Sequence, residues 1–230
     1  MTDGLIPITD EQAKLAQEIM KAFRGLGSFL EKALGSTPED LVGYFGGDRL
    51  RVRRAENMAR MMYEARERLA ARGVEETKPA TLSIALPILQ GAADEDRDEL
   101  VDLWARLLAN AMDPTLNSVR QLFIDAVKRM DPLDAVVLRN IDENKIGIVI
   151  AGGRPREGQP IGCDHIGRAI DRRYDEVELS ILQLKDLGFF EEHRYTEEDA
   201  DHEKYTHLQW WVTAACREFL RACYPEVKIE

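Results

Sequence analysis

Six carboxylates fall within nine residues, at Asp94, Glu95, Asp96, Asp98, Glu99 and Asp102. Carboxylates at that density are the usual material of a hard-cation site. A calcium loop also needs a glycine turn and alternating ligands, which this run lacks, so it reads instead as the solvated start of a helix capped by Asp94 or Asp96. The glycine loops GGDR at 46–49 and AGGRPREG at 151–158 match neither GxxxxGK[ST] nor GxGxxG, the patterns that cradle phosphates. His193, His202 and His207 sit in a polar stretch without a ligand spacing such as HExxH. Cys163, Cys216 and Cys223 form no CxxC pair and read as buried thiols. Neither a GxSxG elbow nor a kinase signature is present. The expectation is a chain that is not an enzyme, with no catalytic residue, no metal and no cofactor.

Basic side chains are the other feature capable of recognition. Arg49, Arg51, Arg53, Arg54 and Arg60, followed by Arg66, Arg68 and Arg72, outnumber Asp48, Glu56, Glu64 and Glu67 to give a local charge of +4. Two readings stand. Arg49, Arg51, Arg53, Arg54 and Arg60 form a surface for an anionic partner, such as a lipid headgroup, a nucleic-acid backbone or an acidic protein. Alternatively, they form a solvated face paired with acids of neighbouring helices. The whole chain is acidic at −11, and unevenly so: residues 1–130 carry −3 and residues 131–230 carry −8.

The elements that position these groups follow from periodicity. Thr9–Gln12 fits a capping box, and Leu15, Ile19, Phe23, Leu26, Leu30 and Ala33 make an apolar stripe, predicting one helix over about 10–34. Pro38 opens a short helix through Phe45. The arginine helix spans about 48–72, burying Val52, Ala55, Met58, Met62, Ala65 and Leu69, and stops at Gly73. Leu82–Leu89 is apolar with Pro87 inside it. Leu100, Leu103, Trp104, Leu107, Leu108 and Ala111 then line one face of a helix that ends at Asp113-Pro114, and Val119–Met130 repeats the spacing. Short connections between these segments predict an antiparallel helical bundle over 1–130.

Asp131-Pro132 suits a cap and first helical position, and the texture changes after it. A helix over Leu133–Ile141, a short strand at Ile146–Ile150, a weak helix at Cys163–Arg173 and a strong one at Glu176–Leu187 precede two apolar strands. Those strands predict a β-hairpin near 189–212, and Thr213 caps a last helix. Three helices, a hairpin and a helix are the order of a winged-helix module, so a small winged-helix-like α+β domain is expected over 131–230. The fold class expected is mainly α. No run approaches the roughly 18–20 apolar residues of a membrane span, and the N-terminus lacks a secretory pattern, so the cytoplasm is the expected compartment.

The phrase DLWARLLANAMDP, Asp102–Pro114, with its acidic lead, resembles the core helix of the bacterial abortive infection alpha (Abi-alpha) family of phage-defence proteins. The likeness covers roughly residues 40–223. It also rests on GYFGGDRLRVRRAEN, ETKPATLSIALPILQGAADED and MDPLDAVVL, and on the closing WWVTAACREFLRAC, which keeps Thr213, Phe219, Ala222 and Cys223. The resemblance implies a role in abortive infection, in which an infected cell halts phage spread. It carries over no catalytic residue. The leading expectation is a non-enzymatic defence protein acting through protein contacts, with a protein partner or self-association, or by disturbing a cell component. A DNA-binding winged-helix regulator is the first alternative. It is opposed by Asp175, Glu176, Glu178 and Asp186 against a single Lys185 on the helix that would read DNA, so specific duplex binding is not expected. A membrane-active effector using residues 10–72 is the second.

Overall fold

The computed structural model describes residues 20–34, 50–116, 119–143, 163–198 and 204–224, preceded by Lys14, Gln17 and Glu18. The expected helix near Pro38, the strand at Ile146–Ile150, Asp48, Arg49 and His202 lie outside the described residues. The chain divides into two compact units, Met1–Ile124 and Asp125–Glu230, with the break six residues before the expected Asp131 and inside a short helix.

Unit one contains α1 (Gly27–Leu34), α2 (Arg51–Ala71), α3 (Leu82–Ala93) and α4 (Asp98–Met112); α5 (Gln121–Val127) runs across the division. The single helix expected over 10–34 is interrupted: residues 23–26 form a turn, and Gly25 adopts φ +79°. That left-handed conformation suits a residue without Cβ. The carbonyls freed by the break are taken up by α2, where Tyr63 Oη donates to Arg24 O and Arg66 donates to Gly25 O at 2.9 Å. Phe23, Leu26, Leu30 and Ala33 still reach the core, joined by Phe29.

Helix α2 buries Ala55, Met58, Met62, Ala65 and Leu69, with Met61 as well. Helix α4 departs from a simple two-faced helix. Besides Leu100, Leu103, Trp104, Leu107 and Leu108, it buries Val101, Ala105, Ala109 and Met112, because α2 and α3 both pack on it. Ridges of several turns against two neighbours remove most of its surface from water, at about 25 cal/mol for each Å² of apolar area. Helix α3 turns Ala85, Ile88, Leu89 and Ala92 inward, while Leu82 and Leu86, expected in the same apolar stretch, remain exposed.

Unit two contains α6 (Pro132–Glu143), α7 (Cys163–Ile170), α8 (Tyr174–Asp186), β1 (Phe190–Glu198), β2 (Lys204–Val212) and α9 (Ala214–Cys223). Val137, Leu138, Ile141, Ile166, Val177, Ile181 and Leu184 close the core between the first three helices. Asp134 fastens two of them: its Oδ1 accepts from Ser180 Oγ at 2.6 Å and its Oδ2 from Asp131 N at 2.8 Å. Gly188 and Phe189 end α8 in a Schellman turn, their amides bonding Lys185 O and Leu184 O. The antiparallel pair β1–β2 then runs in the register Phe190↔Val212 to Glu198↔Lys204. Thr213 Oγ1 accepts from Cys216 N at 3.2 Å to cap α9 and donates to Gly188 O at 2.7 Å. Phe189 and Phe219 meet with ring centroids 4.9 Å apart. All three cysteines are buried free thiols. The architecture is mainly α, with a small α+β part at its C-terminal end. Among the described residues, no helix is long and apolar enough to cross a membrane.

Candidate functional site

The arginines of α2 do not stand alone. Arg53 pairs with Asp96; Arg54 Nε lies 2.6 Å from Asp94 Oδ1; Arg60 lies 2.7 Å from Asp98 Oδ1 and 3.4 Å from Glu64. Further along, Arg68 pairs with Asp102, which Arg106 also binds at 2.8 Å. Asn57 completes the seam by donating to Ala93 O at 3.1 Å. The pairs advance in the same direction on both helices, so α2 and α4 lie parallel, with α3 as the antiparallel return between them. Four of the six acids read from sequence as a solvated helix start, Asp94, Asp96, Asp98 and Asp102, are counter-charges of the basic helix. Three of the five proposed anion-binding arginines, Arg53, Arg54 and Arg60, are held this way. Arg51 lies on α2 and Arg49 outside the described residues. Exposed pairs of this kind contribute only about 0.2–1 kcal/mol each. Their larger effect is on the field, because each carboxylate cancels a charge that a phosphate would need.

At the other end of the same two helices, Asn110 and Asp113 are buried. Arg72 donates to Asn110 Oδ1 at 2.6 Å and to Asp113 Oδ2 at 3.3 Å, while Asp113 Oδ1 accepts from Thr115 N and Oγ1 at 2.9 and 2.6 Å. Lys78 N donates to Met112 O and Lys78 Nζ to Leu116 O, tying the α2–α3 connection to the end of α4. That Asn110 and Asp113 share a partner was not legible from local pattern. Arg72 sits at the polar end of the arginine stripe, and its separation from Arg68 by one helical turn was the available signal.

Glu95 is clamped locally. Burial pushes its carboxyl pKa up, but the guanidinium and amide of Arg97 outweigh that and hold it below the ordinary glutamate range. Asp134 goes the other way: burial raises its pKa, and the bonds from Ser180 and the Asp131 amide only partly offset this. Glu95 thus fixes the entry to α4, and Asp134 ties α6 to α8. Among the described residues, no group of three or more His, Cys, Asp or Glu is placed to hold a metal ion.

The third surface is the outer face of α8. Its inner face is Val177, Ser180, Ile181 and Leu184; outward stand Asp175, Leu179, Leu182 and Asp186. The helix's one lysine, Lys185, is directed at the hairpin, 2.9 Å from Glu192 Oε2 and over the Trp210 ring.

The residues of DLWARLLANAMDP thus supply the centre of unit one: Trp104 and the leucines its core, Asp102 and Arg106 its ion pairs, Asn110 and Asp113 its end lock. Comparisons with curated proteins and with solved structures find no match. A family model described as abortive infection alpha matches residues 53–223, from the arginine helix through the last turn of α9. That match takes in most of the chain, including the Trp104 helix, and the chain belongs to the abortive infection alpha family, associated with abortive-infection phage defence.

Proposed function

We propose that this protein serves abortive infection from the cytoplasm by binding another protein, without catalysing a reaction and without reading duplex DNA. The observation that supports this reading most is the pairing of Arg53, Arg54 and Arg60 with Asp96, Asp94 and Asp98. With those charges cancelled inside unit one, the basic stretch is poorly suited to phosphates, and the chain as a whole carries −11. The bonding of Glu95, Asp113 and Asp134 to neighbouring backbone and side chains supports a structural use of the buried acids. The test is phage plating efficiency and survival of infected cells with and without the protein. Protection is expected, and it should persist in folded Glu95→Gln and Asp113→Asn variants. Loss of protection in those variants at unchanged melting temperature would point to an enzyme.

The winged-helix order of α6, α7, α8, the hairpin and α9 favours a DNA-binding regulator as the second reading. Tight, sequence-dependent binding in fluorescence anisotropy at about 0.15 M salt would promote it. Flotation with anionic liposomes would instead promote the membrane-active reading of residues 10–72.

A further inference from the structure

We infer that the outer face of α8 is the docking surface for the protein partner, and that the partner presents a short helix with two apolar side chains between two cations. The inference rests on the reading that protein contact is how the protein works. Asp175, Leu179, Leu182 and Asp186 follow one another at four, three and four residues, so they line a single stripe. Leu179 is 68% exposed and Leu182 40%, opposite the buried Val177, Ile181 and Leu184. At 1.5 Å per residue, the two aspartates stand about 16 Å apart with the leucines between them.

Charge selects the occupant. Asp175 lies 3.9 Å from the Arg173 guanidinium, but both side chains remain mostly in solvent. Lys185 is turned to Glu192 and Trp210, away from the stripe. Glu178, half-exposed at the edge, adds a further negative charge. A second copy of α8 would bring acid onto acid in either orientation. Antiparallel pairing about the leucines sets Asp175 against Asp186, and parallel pairing sets each against itself. A nucleic acid meets the same repulsion. A helix carrying Lys or Arg at both ends of an apolar pair fits with matching spacing and opposite charge, and like-charged competitors are rejected by the same two aspartates.

The test uses the full chain and a defined probe: a helical, alanine-rich 20-residue peptide bearing Lys-x3-Leu-x2-Leu-x3-Lys. Amide shifts in a nitrogen-15 NMR titration should concentrate on 174–186. Affinity should fall about tenfold or more in a Leu179→Ser/Leu182→Ser variant. A comparable loss is expected for Asp175→Lys/Asp186→Lys and for a peptide with its leucines changed to alanine. All substituted side chains are exposed, so unchanged melting curves establish that each variant is folded. Equal binding by wild type and the serine variant, or by the leucine-free peptide, would reduce the effect to bulk attraction by an acidic chain and overturn the inference. A Leu179-dependent dimer in sedimentation would overturn it in favour of a second copy. Infection assays separate this from the broader reading. Wild-type protection retained by the serine variant sinks the α8 surface alone, whereas a wild type that gives no protection sinks the defence role itself.

Discussion

Gly91 of α3 lies directly against the indole of Trp104: a β-carbon at Gly91 would fall 2.5 Å from Trp104 Cζ2 and 2.8 Å from Cη2. An exposed helical glycine changed to alanine ordinarily stabilises by about 0.4–1 kcal/mol. Here the ring is buried and cannot retreat, so Gly91→Ala should destabilise by about 1–3 kcal/mol, the cost of overpacking. Thermal melting gives the sign. In a Trp104→Ala background the same change should become neutral or stabilising, and a cycle without that reversal rejects the contact.

Trp104→Ala should itself cost about 3–5 kcal/mol, since it empties the centre of unit one. Unchanged urea unfolding in this variant would mean that the indole is not the core of the bundle.

Arg72 and Arg53 belong to the same basic stripe but should behave differently. Arg72→Ala strips a donor from the buried Asn110 and Asp113 and should lose about 3 kcal/mol. Arg53→Gln removes one exposed partner of Asp96 and should change stability by less than about 1 kcal/mol. Parallel denaturant titrations of the two variants decide it; equal effects would contradict the burial difference.

The Asp134–Ser180 bond carries a pH signature. The folded carboxyl holds its proton more tightly than the unfolded one, so ionisation costs stability, and the loss develops as pH rises from the unfolded value of 3.8 toward the folded one. Ser180→Ala removes a bond that favours the ionised form. Its destabilisation, about 1–3 kcal/mol for a buried bond to a charged group, should therefore be larger at pH 7 than at pH 4. Calorimetry at the two pH values would show this; a pH-independent difference would reject it.

The acids at the start of α4 should be what keeps unit one from phosphates. Changing Asp94, Asp96 and Asp98 to asparagine releases Arg54, Arg53 and Arg60 from their ion pairs. Sequence-blind affinity for duplex DNA should rise, and the salt dependence should steepen by up to about 0.9 in log–log slope for each arginine that engages a phosphate. Anisotropy titrations from 50 to 200 mM salt measure both. An unchanged slope would mean that the carboxylates do not cover the arginines.

Much of this fold is legible in local pattern. Apolar spacing placed the core of α2 and α4, and Thr213 before Cys216 announced the cap of α9. Local pattern failed where the deciding contact is distant in sequence. The break at Gly25 depends on Tyr63 and Arg66, about forty residues on. Leu82 and Leu86 share their apolar character with Ile88 and Leu89, and the placement of α2 and α4 decides which of them is covered. At the candidate site, the acids and arginines were each visible, but the parallel run of α2 and α4 that joins them is a property of topology. The stripe on α8 was half legible: its acids were counted, while the exposure of Leu179 and Leu182 follows from Val177, Ile181 and Leu184 filling the opposite face.

Because α2 and α4 run the same way, their peptide dipoles point side by side, and both positive ends lie together near Asp94–Glu99. Helix α2 has no acid in its own first turn and places Arg53 and Arg54 there, which opposes its dipole. Asp94 and Asp96, supplied by a segment some forty residues away, reverse that sign. The favourable charge at the first turn of α2 thus comes from the α3–α4 corner and not from α2 itself, so neutralising Asp94 and Asp96 would weaken the start of a helix to which neither residue belongs.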